Sequence, residues 1–136
     1  AVLMAHRITR RRKAVLSGGL HPHYADVVRT HSHMADDSVD ALAPDVAARE
    51  DIISRIDAQT SCVVVQSPDV FGNLRDLTPI AEACHKHGAL LLAVFTEVVS
   101  LRLVTSRQCA EFRRALCRPL RHAAEISAAD ARAPLR

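Results

Sequence analysis

Two mainly apolar runs, Cys62–Gln66 and Ala89–Phe95, place the strongest constraint on what this chain can fold into. Runs of this length and composition are typical of parallel strands that are buried on both faces of a sheet. Between them, the apolar positions of Leu74–His87 recur at helical spacing, and Gly88 follows where a helix C-cap belongs. The segment therefore predicts two parallel strands joined by a helix in a right-handed crossover.

The residues before this unit repeat the alternation of strand and helix. The pattern predicts short strands at Ala14–Ser17 and Val39–Leu42, and helices over Ala1–Lys13, from near Pro22 to about Met34, and over about Val46–Ile56. A chain of 136 residues with 49% apolar and 24% charged residues suits one domain with one core. The predicted fold class is α/β, a parallel sheet of four strands flanked by helices.

The charge is divided unevenly along the chain. Residues 1–100 carry 10 Lys and Arg against 12 Asp and Glu, a net of −2, whereas residues 101–136 carry 8 against 3, a net of +5. Residues 107–136 hold seven Arg and eight Ala without a strand or helix period. We therefore expect two parts, 1–105 and a divergent basic tail at 106–136. Nucleic-acid binding would rest on that tail alone, and with 3% aromatic residues it is not expected.

The cysteine spacing bears on the cellular location of the chain, and the length of its apolar runs bears on membrane association. Cys62, Cys84, Cys109 and Cys117 form no C-x-x-C pair, so neither a zinc ribbon nor a disulfide framework is expected, and a cytoplasmic location is the default. The longest apolar run is far short of the roughly 20 residues that span a bilayer, so no membrane association is expected.

Three His-x-His pairs could suggest a metal site: His21 with His23, His31 with His33, and His85 with His87. On a strand such a pair faces one way and can chelate a metal, but at least two of the pairs lie on predicted helices, where positions i and i+2 diverge. We expect no bound metal.

Two groups of residues are candidates for a ligand site. Ser17-Gly18-Gly19 lies between a strand and a helix and resembles an anion cradle, although it lacks the spacing of the dinucleotide fingerprint and of the P-loop. Gln66-Ser67-Pro68 and Thr96-Glu97 follow the two strongest strands, where open parallel sheets bind their ligands. A plain turn is the alternative for each group, and both interpretations stay open here.

Spacing alone assembles no Ser/His/Asp or Cys/His arrangement. The sequence has only two lysines, Lys13 and Lys86, and both fall on predicted helix termini without an apolar pocket that would lower an amine pKa. The run Arg10–Lys13 is interpreted as a solvated last helical turn that stabilises the helix dipole, with phosphate binding as the alternative.

Four collinear stretches carry a resemblance to a known family. They resemble subunit 1 of the P-protein family of the glycine cleavage system, the glycine dehydrogenases (decarboxylating), and they are Met4–Arg7, Ser17–Tyr24, Thr60–Leu74 and Thr96–Leu101. The similarity covers about residues 1–105. It implies that the chain is a piece of the large domain of an aminotransferase-like, pyridoxal-phosphate-dependent transferase fold.

The resemblance also implies an activity and partners. In the intact complex of this family, glycine is decarboxylated and its aminomethyl group passes to the lipoyl H-protein, while subunit 2 supplies the lysine that binds pyridoxal phosphate. Subunit 1 lacks that lysine, so this chain alone is expected to bind no cofactor and to be inactive. By the same resemblance, Glu97 stands where cofactor-binding relatives carry an Asp that pairs with the pyridine nitrogen of the cofactor, and it is interpreted as a relic of that role. The residues expected to face the active site or a subunit interface are Ser17, His21, His23, Gln66 and Ser67.

The sequence also departs from the family. The chain starts inside the first predicted helix, and the family's glycine-rich segment is missing beyond Thr105. An out-of-frame reading of codons for that segment would produce Arg114–Leu120, so residues from about 107 onward are interpreted as a frameshifted tail. Two alternatives of another class remain: a small module whose basic tail contacts RNA or DNA, and a metal-dependent hydrolase built on the histidine pairs.

Overall fold

A computed structural model describes residues 1–96. The elements in chain order are α1 (Val2–Thr9), β1 (Lys13–Leu16), α2 (Pro22–Ala35), β2 (Ser38–Ala41), a 3₁₀ turn (Ile53–Arg55), β3 (Thr60–Gln66), α3 (Thr78–His87) and β4 (Leu90–Val94). The four strands form one sheet in the order β2-β1-β3-β4, and every neighbouring pair is parallel. The predicted parallel α/β sheet is confirmed.

Strand β3 forms the centre of the core, because all seven of its residues are buried. Val63 pairs with Val15 of β1 on one side and with Leu91 of β4 on the other. Alternate residues of β3 point to opposite faces, so Val63 and Val65 join one hydrophobic cluster while Cys62 and Val64 join the other. A continuous apolar run is therefore what this position in the sheet requires.

Each face of the sheet is covered by different elements. Ile80 and Cys84 of α3 pack on one face, and Ala5 of α1 and Ala25 of α2 pack on the other. Helix α3 ends at His87, and its C-cap Gly88 has a φ of 68°, in the left-handed region that glycine tolerates. The helix therefore ends where the sequence predicts, two residues before β4 starts at Leu90.

The predicted helix over Val46–Ile56 is wrong. Asp45 instead closes a single turn, since its carboxylate accepts hydrogen bonds from the backbone N–H groups of Ala47 and Arg49 at 2.9 Å each. Ala48 then adopts a φ of 53°, which no α-helix accommodates. Ile52 and Ile56 are buried in the core, and their spacing of four imitates a helical face although only a 3₁₀ turn lies between them.

Two predicted helix boundaries are also wrong. Helix α1 ends at Thr9 because Arg10 takes a left-handed conformation with a φ of 57°, so Arg10–Lys13 is not a helical turn and Lys13 begins β1. Helix α3 begins at Thr78 and not at Leu74, whose side chain is exposed. Arg11, between α1 and β1, instead donates to the last carbonyl of α3.

Candidate functional site

The carboxyl ends of the two central strands, β1 and β3, lie side by side. After β1 ends, the Ser17 N–H donates to the carbonyl of Val64 at 3.0 Å, and after β3 ends, the Ser67 N–H donates to the carbonyl of Val94 at 3.0 Å. Both serines are buried. Each serine therefore extends the strand pairing by one residue and is a buried part of the carboxyl edge of the sheet.

Gln66 connects this edge to the start of α2. Its side-chain oxygen Oε1 accepts a hydrogen bond from the His21 backbone N–H at 3.0 Å, and the side chain is buried. His21 is the N-cap of α2, and its Nδ1 accepts from the backbone N–H of His23 at 3.3 Å. Two residues that are 45 positions apart in the sequence thus fix where α2 begins.

Three rings gather at the first turn of α2. The His21 ring lies 5.0 Å from the His23 ring and 5.5 Å from the Tyr24 ring, measured between centroids. His23 is exposed, and Tyr24 is nearly half exposed. His21 sits at the carboxyl edge of the sheet, with the other two rings beside it.

The Ser17-Gly18 segment does hold an anion, and the anion belongs to the chain itself. The Glu50 carboxylate accepts from Ser17 Oγ at 2.5 Å and from the Gly18 N–H at 2.6 Å. Arg75 Nη2 lies 2.9 Å from the same carboxylate, whose side chain is only 5% exposed. We call Ser17 Oγ, the Gly18 N–H and the Arg75 guanidinium the anion cradle.

The backbone around the anion cradle is closely packed. A Cβ on Gly18 would lie 2.1 Å from the carbonyl oxygen of Ala43. The backbone of Ala43 can approach this closely only because Gly18 has no side chain. Arg75 Nη2 also donates to the carbonyl of Ala48, and Asn73 Nδ2 donates to the carbonyl of Val46, each at 2.9 Å. The connector after β2 is therefore pinned across the carboxyl edge.

Both the sequence and the fold of this chain are similar to those of known proteins. The family profile described as "Glycine cleavage system P-protein" matches residues 1–113. The chain belongs to the glycine cleavage system P-protein family. Subunit 1 proteins of this family, each named "Probable glycine dehydrogenase (decarboxylating) subunit 1", are 72% identical over 104 residues in Methylocella silvestris and 66% identical over 104 residues in Beijerinckia indica. The resemblance inferred from the four stretches is confirmed.

The matched region is a small part of those P-protein relatives. The alignments cover 76% of this chain but 23% of each of the two relatives. A solved glycine decarboxylase (P-protein) of the glycine cleavage system, in inhibitor-bound form, is similar with a TM-score of 0.64 and 36% identity, over 69% of this chain and 21% of that chain. The chain thus has the sheet of a pyridoxal-phosphate-dependent fold and spans about a quarter of its relatives.

The two lysines do not fit a cofactor site in this P-protein segment. Lys13 is the first residue of β1, and its Nζ donates to the carbonyl of Arg55 and to the Asp57 carboxylate. Lys86 lies in the last turn of α3, four residues before β4 begins. Both lie at the end of the sheet where strands start, opposite the edge formed by Gln66. Covalent attachment of pyridoxal phosphate at the carboxyl edge therefore has no lysine to use.

The ion pair of Lys13 gives the fold a defined response to acid. Lys13 Nζ lies 2.7 Å from Asp57 Oδ2, and this hydrogen bond lowers the pKa of Asp57 from 3.8 to about 2. Because the pKa is lower in the folded state, the stabilisation is present above about pH 4 and is lost as the pH falls through about 2. We expect Asp57→Asn to lower the free energy of unfolding by less than about 1 kcal/mol at neutral pH, since the pair is exposed. Urea unfolding at several pH values should show this difference vanishing in acid, and a difference that persists at the lowest pH would contradict it.

A buried polar contact that spacing does not predict joins α1 to β3. His6 Nδ1 lies 2.6 Å from Ser61 Oγ, and this hydroxyl is 2.9 Å from the carbonyl of Lys13. The other ring nitrogen, Nε2, faces the Asp37 carboxylate at 3.8 Å. Ser61 is fully buried, so this group of side chains holds α1 against the sheet and is closed to a substrate.

The structure thus places four of the five predicted residues, Ser17, His21, Gln66 and Ser67, at the carboxyl edge, and His23 is exposed in the first turn of α2 beside His21. It adds Glu50 and Arg75, which no sequence pattern singles out. Glu97 and the tail lie outside the described residues. Within residues 1–96, no three His, Cys, Asp or Glu residues are grouped so that they could hold a metal ion. No helix in the same part is long and apolar enough to cross a membrane.

Proposed function

We propose that this chain is part of subunit 1 of glycine dehydrogenase (decarboxylating). In the intact complex, the enzyme would decarboxylate glycine and pass the aminomethyl group to the lipoyl H-protein. The observation that carries this proposal is the 72% identity over 104 residues to a subunit 1 protein. The partners would be subunit 2, which would hold the pyridoxal phosphate, and the H-protein.

The proposed contribution of this chain is to structure and not to cofactor chemistry. Pyridoxal phosphate supplies an electron sink for the carbanion that decarboxylation produces, and a protein contributes position and electrostatics. With Lys13 and Lys86 both at the opposite end of the sheet, this chain would build a surface next to the partner's active site. Ser17, His21, His23, Gln66 and Ser67 are the residues we assign to that surface, and Glu97 would be the relic of a ring contact.

We place the complex in the cytoplasm. The described cysteines, Cys62 and Cys84, are both free and buried. Burial raises the pKa of each thiol, that of Cys84 to about 12, so neither is poised to react. Free, unreactive thiols are what a reducing compartment permits.

The domain division is likewise a proposal. We assign residues 1–105 to the P-protein fold and residues 106–136 to a basic tail that is read out of frame from about residue 107. The high-identity alignment spans 104 residues, although the family match itself continues to residue 113. Translating the genomic DNA in all three frames tests this directly, since the glycine-rich family segment should reappear in another frame.

The test of the proposed function is release of labelled carbon dioxide from carboxyl-labelled glycine. We expect no release by this chain alone with pyridoxal phosphate and lipoyl H-protein, because its two lysines, Lys13 and Lys86, both lie at the end of the sheet opposite Gln66. We expect carbon dioxide release only in assays that contain subunit 2, and these assays are run both with and without this chain. Glycine-dependent release by this chain without subunit 2 would contradict the proposal.

A further inference from the structure

We propose that the anion cradle is a binding site for a small carboxylate, and that Glu50 fills it as an internal ligand. The ligand class is a planar monocarboxylate such as formate or acetate. This inference is independent of the proposed function, because it rests only on how Ser17, Gly18 and Arg75 meet the Glu50 side chain. It also gives the connector 42–52 a role, since that segment would act as a strap held down by its own carboxylate.

The contacts match what a carboxylate requires. Its two oxygens are held separately, one by the Ser17 hydroxyl and the Arg75 guanidinium and the other by the Gly18 N–H. A neutral donor thus reaches each oxygen and the charged guanidinium reaches one of them, and hydrogen bonds to ionised groups are about twice as strong as neutral ones. A neutral amide of the same shape would place an N–H group against one of these donors.

The donors are also oriented by groups other than the carboxylate. The Gly19 N–H lies 3.2 Å from Ser17 Oγ and donates to it, which leaves the hydroxyl proton free to point toward the carboxylate. Arg75 Nη2 has the carbonyl of Ala48 as a second acceptor at 2.9 Å. The Gly18 N–H is fixed at the end of β1 by the pairing of Ser17 with Val64. The cradle should therefore keep its shape when the Glu50 side chain is removed.

Glu50 reaches the cradle from a segment that belongs to no regular element. It lies 33 residues from Ser17, between the end of β2 and the 3₁₀ turn. Ala43, Pro44, Val46, Ala47 and Arg49 around it are exposed. The Glu50 side chain is thus a buried polar anchor among mostly exposed neighbours, and truncating it would leave three buried or half-buried donors without their acceptor.

The experiment is chemical rescue of Glu50→Ala in the full chain. Thermal unfolding is followed while sodium formate is added, with sodium chloride at the same ionic strength as a control for salt. We expect a saturable rise of Tm by several degrees in Glu50→Ala with formate but not with chloride, because a ligand that binds only the folded state stabilises it. The wild-type chain, whose cradle is full, should respond equally to both salts.

Matched controls separate a carboxylate site from simple filling of space. Formamide has nearly the size of formate without its charge, and it should not stabilise Glu50→Ala. Asp51→Ala removes the neighbouring carboxylate, whose contacts are local, and should show no formate response. Adding Ser17→Ala to Glu50→Ala should weaken the formate response at least several-fold.

Each outcome decides the proposal. Equal effects of formate and formamide, or of formate and chloride, would overturn it. If Glu50→Ala does not fold in buffer, the far-UV circular dichroism should return to the wild-type spectrum as formate is added. Failure of formate to restore that signal at any concentration would overturn the proposal as well.

Discussion

Replacing Gly18 by alanine is expected to lower the free energy of unfolding by about 3 kcal/mol, at the upper end of ordinary overpacking costs. The new Cβ would lie 2.1 Å from the Ala43 carbonyl oxygen, 2.6 Å from its carbon and 2.9 Å from the Pro44 nitrogen. All three are backbone atoms, so relief requires the connector to move and not merely a side chain to rotate. That movement would pull Glu50 away from the anion cradle.

Gly72→Ala is the matched control for this substitution. Gly72 has a φ of 87°, but no atom lies within 4 Å of the position that its Cβ would take. Alanine there suffers only backbone strain, which costs about 1 kcal/mol. Urea unfolding of both variants in the full chain measures the difference. A Gly18→Ala variant as stable as Gly72→Ala would show that the backbone of Ala43 and Pro44 does not lie against Gly18.

Ile52→Ala carries the second large expected effect, a loss of about 3 kcal/mol. Ile52 is only 2% exposed and packs in the cluster that contains Val63 and Leu91 of the sheet. Truncation removes buried methyl groups and leaves a cavity beside the central strand. The loss would be large even though the residue lies in no helix or strand.

Its neighbour in sequence provides the control. Ile53 is 47% exposed, so Ile53→Ala removes little buried surface and should cost less than about 1 kcal/mol. We expect this contrast between adjacent positions because Ile52 points into the core and Ile53 points to solvent. Equal losses from the two substitutions, measured by urea unfolding, would contradict the packing of this segment.

The central unit of the fold could be predicted from sequence because its signals are local. The apolar run of β3 requires burial on both faces, and Gly88 ends α3 through its own backbone conformation. Once two such strands flank a helix, parallel pairing follows from the geometry of the crossover. The position of Gln66 and Ser67 at the carboxyl edge follows in turn.

The connector after β2 could not be predicted, because its local pattern has two solutions. The spacing of Ile52 and Ile56 suits one face of a helix, yet both residues reach the core from a 3₁₀ turn. What decides between the two is the left-handed Ala48 and the capture of Glu50, which depends on residues 32 and 33 positions away. Contacts at that separation leave no periodic trace in the sequence.

The anion cradle combines residues that a sequence pattern suggests with residues that no pattern suggests. Ser17-Gly18-Gly19 between a strand and a helix suggested donors for an anion, with a plain turn as the alternative, and Ser17 and Gly18 hold the chain's own Glu50 carboxylate. The residue that supplies the anion, Glu50, and the guanidinium that completes the site, Arg75, come from two loops with no regular period. Only the folded chain brings them together.

A map of where pyridoxal phosphate attaches to this chain shows whether the chain has a cofactor site of its own. The full chain is incubated with the cofactor, reduced with borohydride, digested and analysed by mass spectrometry, and only Lys13, Lys86 and the amino terminus can be labelled. Because both lysines lie away from the carboxyl edge, we predict far less than one label per chain, spread over these amines as in the urea-unfolded chain. Stoichiometric, glycine-sensitive labelling of Lys13 or Lys86 in the folded chain would show instead that this chain holds a cofactor site of its own.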